Sequence, residues 1–313
     1  MSEKRKQQKA FDVLNDILET LHFRGTVFFR SDLSAPWGMS LPKNGTPRFH
    51  VMLSGSCFVG NQNSDLVKLG PQEIVMLPRG TAHWIADQPG RDLVPSEAAS
   101  LACNLNNPLF QKGETTNTLF CGMAQFDHML RHPFFDALPE VIRFPSMDEC
   151  SAIWKTVTLI DQENQSSNSS KTAIIDRLAE VLFIQLLTHY ISHDEDAVGF
   201  IAAMKDFRVH RALTLIHSDP ASKWTLASLG EKAGMSKATL VRRFQEIMGI
   251  SPMAYITDWR IMKAYSLVKY SGLPMELIAD VTGFASARSL NKTFNRHYGF
   301  TPAALRRNDD SEN

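Results

Sequence analysis

The spacing of apolar positions changes character along the chain. From residue 25 to about residue 122 it runs in short alternating stretches, FHVMLSGSCFVG (49–60) and DLVKLGPQEIVMLPRGTAHWIAD (65–87). Both are rich in β-branched and aromatic residues and are broken by Gly and Pro. Gly70-Pro71 and Pro78-Arg79-Gly80 mark turns, so an all-β sandwich or barrel is predicted here. Residues 148–163 and 172–191 then take helical spacing, on either side of the polar loop QENQSSNSSK (162–171). In the second helix Ile175, Leu178, Leu182 and Leu186 form one stripe, and Val181, Ile184 and Leu187 form another beside it. That is more apolar surface than packing on one sheet needs: the helix is either wrapped inside its own domain or pairs with a second copy of the chain. The acidic ISHDEDAVG (191–199) reads as a linker.

Beyond it the pattern repeats. In TLASLGEKAGMSKATLVRRFQEIMGISP (225–252) and PMELIADVTGFASARSLNKTFNRHYGFTP (274–302), Leu229 and Gly234 precede Ile278 and Gly283 by 49 residues. After one extra residue in the second turn, Ser236, Leu240, Phe244, Gly249, Ser251 and Pro252 meet Ser286, Leu290, Phe294, Gly299, Thr301 and Pro302 at an offset of 50. So many matches indicate a duplicated unit. Each copy reads as helix, tight turn and helix: Gly234 or Gly283 stops the first helix, Ser236 or Ser286 caps the second, and Leu240 and Phe244, or Leu290 and Phe294, face inward. This is a helix-turn-helix pattern, whose second helix enters the major groove of DNA. Met253 to Lys269 reads as one helix joining the copies, with Tyr255, Trp259, Met262 and Leu267 apolar and Arg260 and Lys263 exposed. At 1.5 Å per residue it spans roughly 25 Å, enough to hold two reading helices near one DNA turn apart, about 34 Å.

The outward face of the first reading helix carries Ala238, Val241, Arg242 and Gln245, with Arg243 on its flank, and that of the second carries Ala287, Arg288, Asn291, Lys292 and Asn295. Arg can bond guanine O6/N7 bidentately and Asn can do the same at adenine, while exposed Ala and Val suit a thymine methyl. Arg242 is therefore expected to read a base, and Arg243 and Lys292 to contact phosphate. The alternative is an ordinary helical hairpin with solvated charges. Charge favours DNA. The chain's net charge of zero hides 16 Lys and Arg against 7 Asp and Glu in residues 203–307, a net of +9, while residues 1–202 carry 17 against 23.

Residues 206–307 resemble the DNA-binding domain of the AraC/XylS family of bacterial transcription regulators, on the strength of GMSKATLVRRFQEIMGISPMAYITDWRI and GFASARSLNKTFNRHYGFTPAALRR. The resemblance implies double-stranded DNA as partner, a homodimer paired through the helices before the linker, and contact with RNA polymerase. It places base-reading positions on Ala238, Val241, Arg242, Ala287, Arg288, Asn291 and Lys292. Two departures put the target sequence in question: Gly230 stands where the family usually has Ala, and Leu290-Asn291-Lys292 where a Phe-Ser-Arg-like triplet is common.

In the β region, Gly70 followed by Pro78-Arg79-Gly80-Thr81-Ala82-His83 resembles the second motif of the cupin fold, and Phe49-His50 with Gly55 a degraded first motif. With LFCGMAQFD (119–127) and HPFFDALPEVIRF (132–144) the stretch is similar to the cupin-like sensor domain of a subgroup of AraC-type regulators, which implies control by an unknown small-molecule effector. Cupin metalloenzymes hold their metal with three His and a Glu. Here Met52 replaces one His and the Glu is missing, which argues against an enzyme fused to a DNA-binding module. His50, His83 and Cys121 remain a zinc set if a fourth ligand or water completes it. The alternatives are core histidines with a buried thiol in a ligand pocket or, if Cys121 has a lowered pKa, an oxidant sensor, against which residues 21–40 offer no partner cysteine.

The four cysteines, Cys57, Cys103, Cys121 and Cys150, form no CxxC pair. The polar start and the lack of a long apolar run predict a cytoplasmic protein without a membrane segment. A DNA-repair protein on the same scaffold would need a cysteine in a Pro-Cys-His-Arg-like setting, which is absent. The expected architecture is multidomain, β followed by α. It comprises an N-terminal helix and cupin-like β-barrel or sandwich (1–145), a helical dimerisation segment (146–192), a linker (193–202), an all-α domain with two helix-turn-helix units (203–307) and an acidic tail (308–313).

Overall fold

The computed structural model describes residues 12–61, 66–105, 107–146, 148 and 151–309. The strands are β1 Arg24–Leu33, β2 Gly38–Leu41, β3 Arg48–Ser54, β4 Cys57–Gly60, β5 Val67–Leu69, β6 Ile74–Leu77, β7 His83–Ala86, β8 Val94–Pro95, β9 Asn117–Gln125 and β10 Ile142–Phe144. The helices are α1 Val13–Thr20, α2 Ser96–Asn104, α3 Pro133–Asp136, α4 Ala152–Gln165, α5 Lys171–His193, α6 Gly199–Lys205, α7 Phe207–Ser218, α8 Leu226–Ala233, α9 Lys237–Met248, α10 Pro252–Tyr270, α11 Met275–Val281, α12 Ala287–Tyr298 and α13 Pro302–Asp309.

By contact the chain divides into two compact units; one break falls inside the expected linker and the others do not follow the linear order. One holds residues 23–128 and 138–195. The other holds the segment through His22, residues 129–137 and everything from Asp196. The N-terminal helix and the stretch around α3 therefore pack with the helical half rather than with the barrel.

The first unit is built on two five-stranded sheets, ordered β1-β9-β3-β6-β10 and β5-β4-β7-β2-β8. Pairing is antiparallel except between β2 and β8. Alternation drives the inward faces together around Trp37, Met39, Leu41, Met52, Ile85 and Leu119. Gly80 turns with φ +59°, and a Cβ there would lie 2.4 Å from the Thr46 nitrogen. Helix α5 lies so close on β1 that a Cβ on Gly25 would meet the Glu180 backbone nitrogen at 2.5 Å. Thr26 donates to Asp176 and Arg30 to Asp161, fixing α5 and α4 to that strand.

Helices α4 and α5 match the predicted pair, although α4 continues through Gln165 into the supposed loop. Ile175, Leu182, Leu186 and Leu187 of α5 are buried, while Ile174, Val181 and Ile184 are exposed, as is Leu159 of α4.

In the second unit the predicted linker is partly helical. The break between the units falls between Glu195 and Asp196 inside that stretch, and beyond it Phe200 and Ile201, with Ala203, bury one face of α6. The last helix likewise extends to Asp309, past the expected boundary at 307. Arg260 and Lys263, expected in solvent, are committed. Arg260 donates to the carbonyls of Pro220 and Ser222, and Lys263 donates to Asp16 of α1 at 2.7 Å.

Candidate nucleic-acid interface and barrel site

Each reading helix is set by local chemistry. Ser236 Oγ accepts from the Thr239 N–H and Ser286 Oγ from the Ser289 N–H, closing the starts of α9 and α12. Gly249 and Gly299 close the ends in the left-handed region, at φ +70° and +81°. Inside, Leu240 and Phe244 of the first copy and Leu290 and Phe294 of the second are fully buried. Helix α10 serves both. Tyr255 meets Phe244 with ring centroids 6.4 Å apart, and Tyr265 stacks on Phe294 at 5.9 Å. Ten residues separate the two tyrosines, about 15 Å along the helix, so one rod carries the same anchor for each copy.

Gly230 has a local reason. A Cβ there would stand 2.8 Å from the Met235 carbonyl oxygen, because the turn between α8 and α9 folds back onto it. At the second turn Gly283 takes φ +79° with the Arg260 guanidinium against it. Arg260 thereby ties the turn of the second copy to the chain just before α8.

The outward faces differ. On α9, Ala238, Arg242 and Gln245 are exposed and Val241 is half-buried. Arg242 Nη1 donates to both Glu246 carboxylate oxygens at 2.9 Å, and Gln245 donates to the Gly249 carbonyl. On α12, Arg288, Asn291, Lys292 and Asn295 are exposed, and Ala287 is half-buried. Arg296, which sequence reading passed over, follows Lys292 by one helical turn and is exposed as well. Its four-residue spacing from Lys292 was the available signal.

Arg243 is placed differently from Arg242. It points away from the reading face, is half-buried and pairs with Asp206, whose carboxylate also caps α7 through the Arg208 and Val209 N–H groups. One residue beyond Arg242 is 100° further round the helix, and that rotation turns the guanidinium onto α7's start. In this structure it makes a structural contact.

In the barrel, His50, His83 and Cys121 do come together, but in a line. Register sets Cys121 directly across from His50. His50 Nδ1 lies 2.8 Å from Cys121 Sγ, and His50 Nε2 lies 2.8 Å from His83 Nε2. His83 Nδ1 must donate to the Thr81 carbonyl, so its Nε2 accepts from His50, and His50 Nδ1 accepts from the thiol. Burial holds both imidazoles neutral, His83 with a pKa of about 4, and pushes the Cys121 thiol up. A raised thiol lacks the thiolate that fast oxidation requires.

The zinc expectation does not fit this geometry. His50 separates the sulfur from His83, so the three donors do not surround a point. Among the described residues no group of three His, Cys, Asp or Glu could hold a metal ion. Cys150 lies outside the described residues, and Cys103 sits half-buried on α2. Among the described residues no helix is long and apolar enough to cross a membrane.

Two openings adjoin His50 and His83. An outer cleft of about 340 Å³ is lined by Leu41, Pro42, His83, Trp84, Leu93 and Glu97, among others. A smaller apolar recess, which shares Leu41 with it, is lined by Met39, Leu41, His50, Ser96, Ala99 and Cys121, among others.

Residues 12–192 match the family model described as cupin, and residues 229–308 match the helix-turn-helix domain model. An AraC-like transcription regulator of Streptomyces antibioticus is 26% identical over 300 residues, covering 95% of this chain and 98% of the relative. The HTH-type transcriptional regulator AlkR of Acinetobacter baylyi is 25% identical over 302 residues, covering 94% and 99%. Among solved structures, the DNA-binding domain of AdpA in complex with a target DNA is 25% identical with a TM-score of 0.32, covering 34% of this chain and 96% of that one.

Proposed function

The chain belongs to the AraC-type transcription regulators with an N-terminal cupin domain, and we propose that it reads a two-part DNA site with α9 and α12 under control of a small molecule in the barrel. The carrying observation is the repeated helix-turn-helix with matched serine caps and matched Phe–Tyr anchors on α10.

In this reading Arg242 and Arg288 contact guanine edges, Asn291 and Asn295 contact adenine, and Ala238, Val241 and Ala287 take methyl groups. Lys292 and Arg296 meet phosphate. Glu246 partly neutralises α9, whereas Arg288, Lys292 and Arg296 form no ion pair among the described residues, so α12 contributes more of the electrostatic affinity. The exposed Leu159, Ile174, Val181 and Ile184 support pairing of two copies through α4 and α5. An effector acts by binding one arrangement of the assembly better than another, which changes how RNA polymerase is engaged at the promoter.

In vitro selection from random duplexes with the purified chain tests this. The expected result is an enriched site with two short half-sites about 10 base pairs apart, centre to centre. Failure to enrich any sequence contradicts it.

A further inference from the structure

Resting on the reading of the barrel as the sensing site, the geometry points to residues 132–137 as the element through which a ligand in the barrel acts on α9. This short segment leaves the barrel after β9 and seats His132 and Phe134 in the core of the DNA-binding unit. Its sequence, His-Pro-Phe-Phe-Asp-Ala, makes it rigid. Pro133 presets the first helical position of α3, and His132 caps it, with Nδ1 accepting the Phe134 N–H at 3.1 Å. His132 is only 1% exposed and Phe134 is fully buried. What covers them belongs to the helical half: the His132 ring lies 4.7 Å from Phe200 and 5.6 Å from Trp259, and the Phe134 ring 6.3 Å from Phe200. Gly199 closes the seat, since a Cβ there would stand 3.3 Å from the Ala137 Cβ.

The chain on either side of this plug belongs to the barrel. Residues 126–128 alone separate the segment 129–137 from β9, and residues 138–141 separate it from β10. At about 3.5 Å per residue such tethers hold little slack, so a shift of either strand is carried to the plug rather than absorbed. On β9, which ends at Gln125, Cys121 lines the inner recess beside His50. The recess has about 10 Å³ of free space, room for one water at most. A ligand that reaches Cys121 therefore moves β9.

Inside the helical unit the plug meets a side chain that serves the first reading helix. His132 Nε2 donates to Tyr255 Oη at 3.2 Å, and Tyr255 turns its ring to Phe244 of α9 at 6.4 Å. The same α10 holds Tyr265 on Phe294 of α12, so a shift at its Tyr255 end changes the setting of one reading helix against the other. Withdrawal of His132 takes a donor from Tyr255 in a buried site and opens a gap beside Phe200 and Trp259, both costly. The seat accordingly has two discrete states, occupied and vacated, and a ligand that favours one setting of β9 biases which is populated. The chain that enters from α5 converges on the same place, because Phe200 of α6 rests on Phe134.

The test is hydrogen exchange, read by mass spectrometry on the full-length protein with and without a duplex selected from random DNA. Linkage is reciprocal, so a barrel that acts on α9 must itself respond to the duplex. The selected duplex is expected to change exchange about fivefold or more in residues 121–125 and 142–144, the low end of coupling between sites, whereas a scrambled duplex does not. His132→Asn keeps an acceptor for the cap of α3 and removes the donor to Tyr255. It loses the change in those strands and retains the protection of α9 and α12. Gly-Ser-Gly inserted after His128 and after Glu140, both exposed, does the same with the plug intact and keeps the test decisive if the His132 variant does not fold. Strands that stay silent on specific binding overturn the inference, as does an equal response in the native and the lengthened chain. Specific binding in those cases confines the failure to this route, whereas no enriched duplex at all removes the regulator reading and the route with it.

Discussion

Tyr255 Oη lies 2.6 Å from Nε2 of His217 and fixes the direction of a buried hydrogen-bond chain. His132 Nδ1 accepts the Phe134 N–H, so its Nε2 must donate to Tyr255 at 3.2 Å. Tyr255 then donates to His217, and His217 Nδ1 donates to Asp16 at 2.8 Å. Asp16 also receives Lys263. Helix α1 and the stretch around α3 are joined to α7 and α10 through this chain, each link having one allowed proton position.

Tyr255→Phe keeps the ring against Phe244 and removes the hydroxyl. It leaves an acceptor on His217 and a donor on His132 unmatched in a buried site, and is expected to destabilise by about 2 kcal/mol. Urea denaturation followed by near-ultraviolet dichroism measures it. A change within error would mean that water replaces the hydroxyl.

Acidification supplies a second test. Burial lowers the pKa of His50, His132 and His217, and of His83 to about 4. In the unfolded chain histidine titrates near 6.5. Above that pH both states are neutral and the contribution is complete; below it the unfolded chain binds protons first, so stability falls. For His83 the loss runs from about 6.5 down to about 4. The urea midpoint should drop between pH 7.5 and 5.5, and His83→Gln, which keeps one donor and one acceptor, should flatten the decline. A midpoint that holds steady or rises on acidification contradicts this sign.

Arg243→Ala and Lys292→Ala separate structural from reading cations. Arg243 pairs with Asp206, so its loss costs under about 1 kcal/mol of stability and leaves the salt dependence of DNA binding unchanged. Lys292→Ala weakens binding to all sequences and reduces the salt slope by about 1. Matching salt slopes for the two variants would return Arg243 to the DNA.

Gly230→Ala places a Cβ against the Met235 carbonyl, a backbone atom that yields only if the turn moves. A loss of about 1 to 3 kcal/mol is expected. Gly272→Ala, where nothing lies within 4 Å, is the neutral comparison. Equal thermal midpoints for both would show that the turn adjusts freely.

The helical half was readable because its signals are local. Serine caps, closing glycines and the Leu–Phe spacing each act within one turn, and all stand where the repeat puts them. What escaped depends on partners far along the chain. Arg243, Arg260 and Lys263 look like solvent residues until Asp206, Pro220 and Asp16 fold against them. The barrel trio shows the same limit: the sequence offers His50, His83 and Cys121 as a set, but only their contacts show that His50 stands between the other two. Helix α6 was missed because its buried face rests on two residues, Phe200 and Ile201, with one alanine.

The most direct measurement is a map of chromosomal occupancy for the native chain and for the double variant Arg242→Ala, Arg288→Ala. Each arginine is expected to supply about 1 to 3 kcal/mol of discrimination at its base. The account predicts a few sharp sites in the native profile that vanish in the variant while its fold is retained. Diffuse occupancy that both proteins share would contradict sequence reading by α9 and α12.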